Sequence, residues 1–439
     1  MPMKIAIASS GLGHVSRGIE TWALDTACAL ATRGVDVTLF AGGEVARTEG
    51  AGPQPVVVPI RGMRRFEERT QRWVTRMPGA AWRLGLKDGY GWEQFSFWIG
   101  LQKHLRRGGF DILHVQDPLV AMWCHRWRKA GLLRTRPILA HGTEEPAEFL
   151  APLEYVQHLA PWHLEEAMKS VKSMDTRQSM KSIKSKETEA ATSGSSSLSP
   201  LSNSSILSVA TPRPFWVAIP NFVDTDIFRP AVNAAERQAF RDQLGIPADA
   251  LLVGCVAAVK KTHKRIDYLI DEFAQFMIPP SRRNHAHLVI AGARQPDSAE
   301  LVALAKSLAP GRIHLLFDVG RESMPALYRA LDVFVLASQF EMMPIALLEA
   351  LASGVPALVH PHPVLEWIIG ATHVPGVVGP GGRIVNMTET GTLAGSLGNL
   401  PADWLRKHGE NARHQAATRF AVEAVIGEYM EYYRRVERA

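Results

Sequence analysis

The sequence predicts an α/β protein made of two doubly wound domains, and three observations support this. Short apolar runs alternate with amphipathic helical segments near the N-terminus, and the same alternation begins again at Leu251. Apolar runs bounded by helices are typical of a parallel sheet that helices cover on both faces. The length of 439 residues is too great for one ordinary domain and suits two of about 200 residues each.

Strands are predicted wherever an apolar run is short and bounded by polar residues. In the first half they are Lys4–Ser10, Val35–Phe40, Val56–Ile60, Asp111–Gln116 and Pro137–Ala140, with a helix at Gly18–Thr32. In the second half they are 251–259, 287–291, 312–317, 332–337 and 356–359. A last helix is predicted from about Gln415 to Val436.

A change of composition separates the two halves. Residues 170–208 contain 14 serines in 39 positions and no aromatic residue. Such a stretch cannot bury enough apolar surface to order itself, so we predict a flexible insertion there. The predicted domains are 1–212, which carries the insertion, and 219–414, followed by a terminal helical segment at 415–439.

The cysteines and the N-terminus predict a cytoplasmic protein. Cys28, Cys124 and Cys255 are odd in number and widely spaced, which favours a reducing compartment over a disulfide framework. Met3–Ala8 is predicted to be a strand and lacks the features of a secretory signal. The longest apolar run, Leu251–Val259, is about half the length of a membrane span.

The net charge of +6 is concentrated in one segment. Residues 61–87 contain eight lysines and arginines against Glu67 and Glu68, so this segment accounts for the whole excess. Its apolar residues recur at helical spacing and predict a basic amphipathic helix. The helix either packs on the core with its arginines solvated or attaches the protein peripherally to the inner face of an anionic membrane. No nucleic-acid-binding motif accompanies it, so no nucleic-acid partner is expected.

Glu341 and Glu349 surround the start of one predicted helix. Ile345–Ser353 is predicted to be helical, and Gly354 is a typical residue just after a helix C-terminus. The two carboxylates therefore lie on either side of free N–H groups at the positive end of the helix dipole. An anion held between carboxylates suggests a ligand with phosphate in its middle and hydroxyls at both ends, such as a nucleotide sugar. The alternative is a pair of solvated glutamates.

This stretch resembles a motif of the family-4 (group 1) retaining glycosyltransferases. Their usual sequence is Ser-x-x-Glu-Gly-Phe-Gly, three variable residues, an apolar residue and Glu-Ala-Met-Ala-x-Gly-x-Pro, and Ser338–Pro356 is similar to it. Residues 342–344, Met-Met-Pro, replace Gly-Phe-Gly. This departure removes one possible phosphate-binding N–H and leaves those of Ile345 and Ala346 as the candidates.

Ile219–Pro230 resembles a second motif of the same family, Ile-Pro-Asn-Gly-Val-Asp-x-x-x-Phe-x-Pro. Phe222 stands in place of the glycine, and Asn221 and Asp224 are predicted to be turn residues. In the family this segment opens the second domain.

The resemblance covers nearly the whole chain outside residues 60–110 and 170–212. It implies the GT-B fold, in which two Rossmann-like domains face a central cleft and a C-terminal helix crosses back to the N-terminal domain. It also implies transfer of a sugar from a UDP- or GDP-sugar to a glycan or lipid-linked acceptor of the cell envelope, with retention of the anomeric configuration. No metal ion or other cofactor is expected.

The resemblance assigns the donor-binding residues to the second domain. Glu349 would hold the ribose hydroxyls and Glu341 would contact the donor sugar as a catalytic residue. The loop between the strand at 251–259 and the next helix carries four cations, which suit a diphosphate leaving group whose charge grows as the glycosidic bond breaks. Lys264 and Lys260 are the candidates that match the family's cations, and a solvated basic loop is the alternative.

The loop after the first strand is a candidate ligand-binding loop of the first domain. Gly11 and Gly13 let the backbone approach the donor phosphates, but the spacing Gly-x-Gly-x4-Gly differs from the nicotinamide-binding Gly-x-Gly-x-x-Gly. In the family this loop also lies near the acceptor, so His14 is an acceptor-side candidate. A plain loop histidine is the alternative.

Two further strand ends carry candidate residues. The resemblance implies that His141 is a functional histidine oriented toward the donor sugar, although a bare strand-end histidine is often structural. Glu144, its acidic neighbour Glu145 and Asp117 are candidates for contact with acceptor hydroxyls. Two other functions remain open: a nucleotide-sugar epimerase or phosphorylase of similar architecture, and a non-catalytic scaffold protein with the GT-B fold.

Overall fold

The computed structural model describes residues 3–15, 17–45, 52–76, 85–192, 213–278, 285–371 and 378–439, with the backbone alone at 178–192. The chain folds into two compact units. The N-terminal unit takes the chain up to Ile219 and also Met430–Ala439, and the C-terminal unit is built from Pro220–Tyr429.

The N-terminal unit contains a parallel sheet with flanking helices. Its strands are β1 (Lys4–Ser9), β2 (Asp36–Ala41), β3 (Val56–Pro59), β4 (Ile112–Val115), β5 (Arg136–His141), β6 (Tyr155–His158) and β7 (Trp216–Ala218). Its helices are α1 (Gly18–Ala31), α2 (Glu68–Arg76), α3 (Gly89–Gly108), α4 (Pro118–Lys129), α5 (Ala147–Leu150) and α6 (Pro161–Thr192). The strand order is β3-β2-β1-β4-β5-β6-β7. The order reverses between β1 and β4, so the loops that follow these two strands are neighbours at the carboxyl edge of the sheet.

The C-terminal unit repeats this architecture. Its strands are β8 (Leu251–Val256), β9 (Ala286–Gly292), β10 (Ile313–Phe317), β11 (Val333–Leu336), β12 (Ala357–Val359), β13 (Val378–Gly379) and β14 (Gly382–Ile384). Its helices are α7 (Ala234–Gln243), α8 (Ile266–Phe276), α9 (Ser298–Leu308), α10 (Met324–Ala330), α11 (Ile345–Ala352), α12 (Pro363–Ile369), α13 (Thr392–Gly398) and α14 (Ala402–Arg419). The strand order is β10-β9-β8-β11-β12-β14-β13, and β13 pairs antiparallel with β14. Here the order reverses between β8 and β11.

The predicted fold class is confirmed, because both units are doubly wound sheets flanked by helices. The predicted strands occur, and their ends differ from the predicted ones by at most three residues. The sequence did not predict β6, β7, β13 and β14, which are two to four residues long. Runs this short carry too little periodicity to be distinguished from loops.

The predicted terminal helix is divided into two helices. α14 ends at Arg419, and α15 (Val422–Glu437) begins after the buried residue Phe420. The break occurs because the Phe420 carbonyl accepts a hydrogen bond from Val223 N–H (2.8 Å), and Val422 N–H donates to the Val223 carbonyl (3.2 Å).

The end of α15 packs within the N-terminal unit. Tyr432 Oη donates to the Phe215 carbonyl (2.7 Å), and Tyr433 Oη lies 2.7 Å from His114 Nδ1. Both tyrosines are buried, so the last turns of the chain contribute to the core of that unit.

The serine-rich segment differs from its prediction in its first part. Residues 170–192 continue α6, and Val171 is buried in the N-terminal core. Alanine, glutamate, lysine and methionine lie between the serines, and their high helix propensity explains a regular backbone where the serine content predicted none. Residues 193–212 lie outside the described part of the chain.

The basic segment 61–87 is helical only at α2, and its residues 77–84 lie outside the described ones. Before α2, Met63 N–H donates to Ser96 Oγ and Arg65 N–H donates to Glu93 Oε2, both at 2.8 Å. α3 supplies acceptors for these two N–H groups, so they are satisfied without helical hydrogen bonds. This explains why the predicted helix does not include residues 61–65. In the described ranges, no helix is long and apolar enough to span a membrane.

Candidate functional site

The loop between β8 and α8 carries the four cations that the sequence singled out, and three of them have partners. Lys261 pairs with Glu300, Arg265 donates to the Met387 carbonyl, and Lys264 pairs with Glu341. Lys264 and Glu341 are both largely buried, with side chains 17% and 10% exposed. The reversal of strand order next to β8 therefore brings two predicted donor-binding residues into direct contact.

Lys260 is the fourth cation of this loop. It is half-buried, and its ammonium makes no hydrogen bond to a residue in the described part of the chain. Burial lowers the pKa of Lys260, and the neighbouring Lys264 ammonium lowers it further. A cation in these surroundings is suited to bind an anion, because an anion would offset both effects.

The helix that follows β11 begins as predicted. Pro344 precedes the first turn of α11, and Leu347 N–H bonds to the Pro344 carbonyl (3.1 Å). The N–H groups of Ile345 and Ala346 lie before the intrahelical bonds begin, as the first N–H groups of any helix do. These groups and the helix dipole make this end of α11 suitable for an anion.

Residues 342–344, which replace the family's glycines, are held by Asn221. Asn221 N–H lies 3.4 Å from Met343 Sδ, and its amide Nδ2 donates to the Met343 carbonyl (3.2 Å). Asn221 and Met343 are both buried. Asn221 was predicted to be a turn residue, but the structure gives it a long-range role, since it fixes the loop that carries Glu341.

Glu349 lies in the second turn of α11, as predicted. The buried hydroxyl of Tyr328 in α10 donates to Glu349 Oε2 at 2.8 Å. Ser338, at the carboxyl end of β11, is fully buried, and no described residue hydrogen-bonds its hydroxyl. The C-terminal unit thus gathers Lys260, Lys264 and Glu341 at one sheet edge beside the start of α11.

Asp117 follows β4 and is fully buried, so the structure does not present it at a surface for an acceptor. Its carboxylate accepts hydrogen bonds from Ser10 N–H (2.7 Å), Ser10 Oγ (2.8 Å) and Tyr90 Oη (2.7 Å). Burial raises the pKa of Asp117 despite these bonds. The prediction overlooked partners that come from the loop after β1 and from α3. Asp117 holds the start of that loop.

A buried ion pair lies beneath the loop after β1. Arg65 Nε and Nη2 donate to Glu93 Oε1 at 2.9 and 2.5 Å, and His14 Nε2 lies 2.9 Å from Glu93 Oε2. Burial alone would raise the pKa of Glu93, but hydrogen bonds from His14 and Arg65 outweigh it and lower the pKa. His14 therefore has an internal partner, which the sequence did not reveal.

The two glycines of this loop are required by packing inside the unit. A Cβ at Gly11 would lie 2.1 Å from Glu20 Oε1 and 2.6 Å from Arg65 Nη2. Gly13 has φ +96°, and a Cβ there would lie 2.6 Å from the Gly43 carbonyl carbon. Close approach to a phosphate stays a prediction for both residues.

His141 ends β5 within a group of histidines. Its Nδ1 lies 3.1 Å from His158 Nδ1, and its ring centroid lies 6.5 Å from that of His163. Burial lowers the pKa of His141 to about 4, and the nearby His163 contributes. His141 is therefore neutral at physiological pH, which suits a hydrogen-bonding role toward a sugar more than an ionic role toward phosphate.

The acidic residue beside His141 is Glu145, whereas Glu144 is exposed. Thr143 Oγ1 donates to Glu145 Oε2 (2.7 Å), and that oxygen lies 3.7 Å from His141 Nε2. Burial raises the pKa of Glu145 to about 7. Glu145 lies four residues after His141, and this spacing could have indicated the contact. The sequence alone did not show whether Glu144 or Glu145 is the buried one.

Two family models match the chain, one in each half. Residues 16–172 match Glycosyltransferase Family 4, and residues 236–390 match Glycosyl transferases group 1. The chain belongs to the group 1 glycosyltransferases and has their GT-B fold.

Curated relatives match in part. Mannosylfructose-phosphate synthase of Agrobacterium fabrum is 34% identical over 153 residues, which are 33% of this chain and 32% of the relative. D-inositol 3-phosphate glycosyltransferase of Mycolicibacterium smegmatis is 28% identical over 218 residues, 47% of this chain and 45% of the relative. The chain thus matches about a third of the length of the first relative and just under half of the second.

Solved structures match over the whole chain at low identity. Sucrose-phosphate synthase of Thermosynechococcus elongatus superposes with a TM-score of 0.68 at 19% identity and covers 99% of each chain. HepE of Anabaena, solved in complex with UDP-glucose, gives 0.65 at 14% identity over 99% of this chain and 100% of its own. These matches establish the fold.

Gly11→Ala is expected to destabilise the protein. The added methyl group would displace the buried Glu20 and Arg65 side chains, which overpacks the core by about 1–3 kcal/mol. Urea unfolding measures the loss. Gly18→Ala is the matched control, because a Cβ there meets nothing within 4 Å. An equal loss in both variants would contradict the packing explanation.

Glu145→Gln is expected to change the pH dependence of stability. The folded protein keeps the Glu145 proton up to a pKa of about 7, against 4.5 for the ordinary group, so wild type loses stability as pH rises between these values. The glutamine variant should lack this loss, which is at most about 3 kcal/mol. The measurement is the free energy of unfolding from about pH 5 to about pH 8. The same change in Glu144→Gln would contradict the assignment to Glu145.

Proposed function

We propose that the protein transfers a sugar from a nucleoside-diphosphate sugar to a hydroxyl of a glycan or lipid-linked acceptor, without a metal ion and with retention of configuration. The observation that carries this proposal is the contact between Lys264 and Glu341 at the start of α11. This contact brings a cation, a carboxylate and the N-terminus of a helix together where the strand order of the sheet reverses. Ligands of doubly wound sheets usually bind at that position.

The diphosphate of the donor is the proposed ligand of the cations. Lys264 would leave Glu341 for the diphosphate, and Lys260, which no carboxylate of the described residues holds by a hydrogen bond, would join it. The N–H groups of Ile345 and Ala346 would donate to the same oxygens. Positive charge here stabilises the leaving group as negative charge develops on it.

The two glutamates are proposed to hold the hydroxyl-bearing ends of the donor. Glu341, released from Lys264, would accept hydrogen bonds from the sugar hydroxyls. Glu349 would accept hydrogen bonds from the ribose hydroxyls, and a carboxylate accepts such bonds more strongly than a neutral group does. His141 remains a proposed contact of the donor sugar, because its neutral imidazole is suited to hydrogen-bond a hydroxyl.

The proposed reaction breaks the bond between the anomeric carbon and the phosphate oxygen. The acceptor hydroxyl oxygen forms a new bond to that carbon on the same face, and its proton passes to the leaving phosphate oxygen. Attack on the same face gives retention without an enzymic nucleophile, and transfer of the proton to the leaving phosphate oxygen makes an enzymic base unnecessary. His14 and Glu144 are proposed to lie on the acceptor side.

A panel of UDP-, GDP- and ADP-sugars tests the donor proposal by thermal unfolding. One donor is expected to stabilise wild type by about 2.7 kcal/mol when its concentration is 100 times its dissociation constant. Glu349→Ala should lose most of this stabilisation. Glu410→Ala is the control, because that glutamate is exposed and its carboxylate lies 3.6 Å from the exposed Arg406 guanidinium.

Stabilisation by none of the sugars would contradict the proposed function. A donor that stabilises wild type and both variants equally would contradict the role of Glu349. Release of nucleoside diphosphate that needs no acceptor would favour the epimerase or phosphorylase reaction instead.

An anionic membrane surface is the proposed partner of the basic segment. Phe66 is 64% exposed and Trp73 is 48% exposed on the described part of this segment, and Arg64, Arg69 and Arg72 are exposed beside them. Aromatic side chains among cations suit the interface of anionic bilayers. A protein of the cytoplasm could meet lipid-linked acceptors there.

Vesicle binding tests the membrane proposal. A triple variant, with Arg64, Arg69 and Arg72 replaced by glutamate, reverses three charges at the proposed contact. It is expected to abolish sedimentation of the protein with vesicles of phosphatidylserine and phosphatidylcholine. Arg65 is left unchanged, since it is buried against Glu93. The control reverses Lys103, Arg106 and Arg107, which are exposed on α3. Equal loss in both variants, or no binding by wild type, would contradict the proposal.

A further inference from the structure

Tyr328 brings a buried hydroxyl to the carboxylate of Glu349. Its side chain is fully buried, and its Oη donates to Glu349 Oε2 at 2.8 Å. The two residues belong to different helices, α10 and α11, so the contact depends on the tertiary fold.

The surroundings of the phenol keep it a hydrogen-bond donor. Burial raises the pKa of Tyr328 well above its ordinary value, and the Glu349 charge raises it further. The hydroxyl therefore stays protonated at neutral pH. A hydrogen bond from a neutral donor to a carboxylate is stronger than one between neutral groups.

The ring of Tyr328 is held by aromatic packing on two sides. Its centroid lies 5.8 Å from that of Phe228 in a T-shaped arrangement and 6.1 Å from that of Phe334 in β11. The hydroxyl is consequently in a fixed position relative to the sheet. Glu349, whose own side chain has three rotatable bonds and is half-exposed, acquires one fixed oxygen from it.

We propose that Tyr328 is a positioning residue that holds the Glu349 carboxylate in the orientation needed to bind the ribose of the donor nucleotide. This inference rests on the proposed function. Without the hydroxyl, Glu349 loses one fixed hydrogen bond, and nucleotide binding would have to supply that part of its order at a cost in affinity. The affinity should fall because contacts with the ribose hydroxyls weaken, while contacts with the diphosphate remain unchanged.

Tyr328→Phe tests the inference because it removes the hydroxyl and keeps the ring. Calorimetric titration compares the nucleoside diphosphate of the best-binding donor with its 2′-deoxy counterpart. The variant is expected to bind the ribonucleotide about tenfold more weakly, equivalent to about 1.4 kcal/mol. It should bind the deoxy compound with a smaller loss, so that its preference for ribose falls below that of wild type.

Tyr432→Phe is the matched control for the loss of a buried tyrosine hydrogen bond. Tyr432 is also fully buried and donates to a carbonyl, that of Phe215, at 2.7 Å. Its variant should show the wild-type affinities and ribose preference, with a similar change in thermal unfolding.

Three results would overturn the inference. If Tyr328→Phe keeps the wild-type ribose preference while Glu349→Ala loses nucleotide binding, Tyr328 has no positioning role and the proposed function stands. Equal weakening of both nucleotides would indicate general disturbance of the site. If wild type binds no nucleoside diphosphate, the proposed function and the inference fail together.

Discussion

The reversal of strand order inside each sheet is the constraint on which the rest of the structure depends. Between β8 and β11 it places two loops side by side, and Lys264 and Glu341 meet because each lies on one of these loops. Between β1 and β4 the same arrangement joins Ser10 to Asp117. Ligands of doubly wound folds usually bind at such positions, because the two loops leave a crevice at the carboxyl edge of the sheet.

Residues 60–110, which the sequence motifs left out although the Glycosyltransferase Family 4 model spans them, support the loop after β1. Arg65 and Glu93, both from residues 60–110, form a buried pair that also contacts His14. Removing one member of a buried pair leaves an uncompensated charge, which typically costs about 3–5 kcal/mol. The shape of the loop after β1 therefore depends on this buried pair.

The sequence predicted what local patterns encode. Apolar runs predicted ten of the strands, and the family motif placed α11 within one residue. Long-range partners were not predictable. Helical spacing predicted a solvated Arg65, and no motif indicated its partner Glu93. Asn221 was predicted to be a turn residue, and no motif pointed to Tyr328. Buried polar contacts of this kind join residues far apart in sequence, so periodicity and motif spacing contain no information about them.

The central claim is that the C-terminal unit holds a nucleoside diphosphate at the start of α11. A crystal structure with bound nucleoside diphosphate tests it most directly. The claim predicts diphosphate oxygens within hydrogen-bond distance of Lys264 and of the N–H of Ile345 or Ala346, with the ribose hydroxyls on Glu349. A nucleotide bound elsewhere, with the Lys264–Glu341 pair intact, would contradict it.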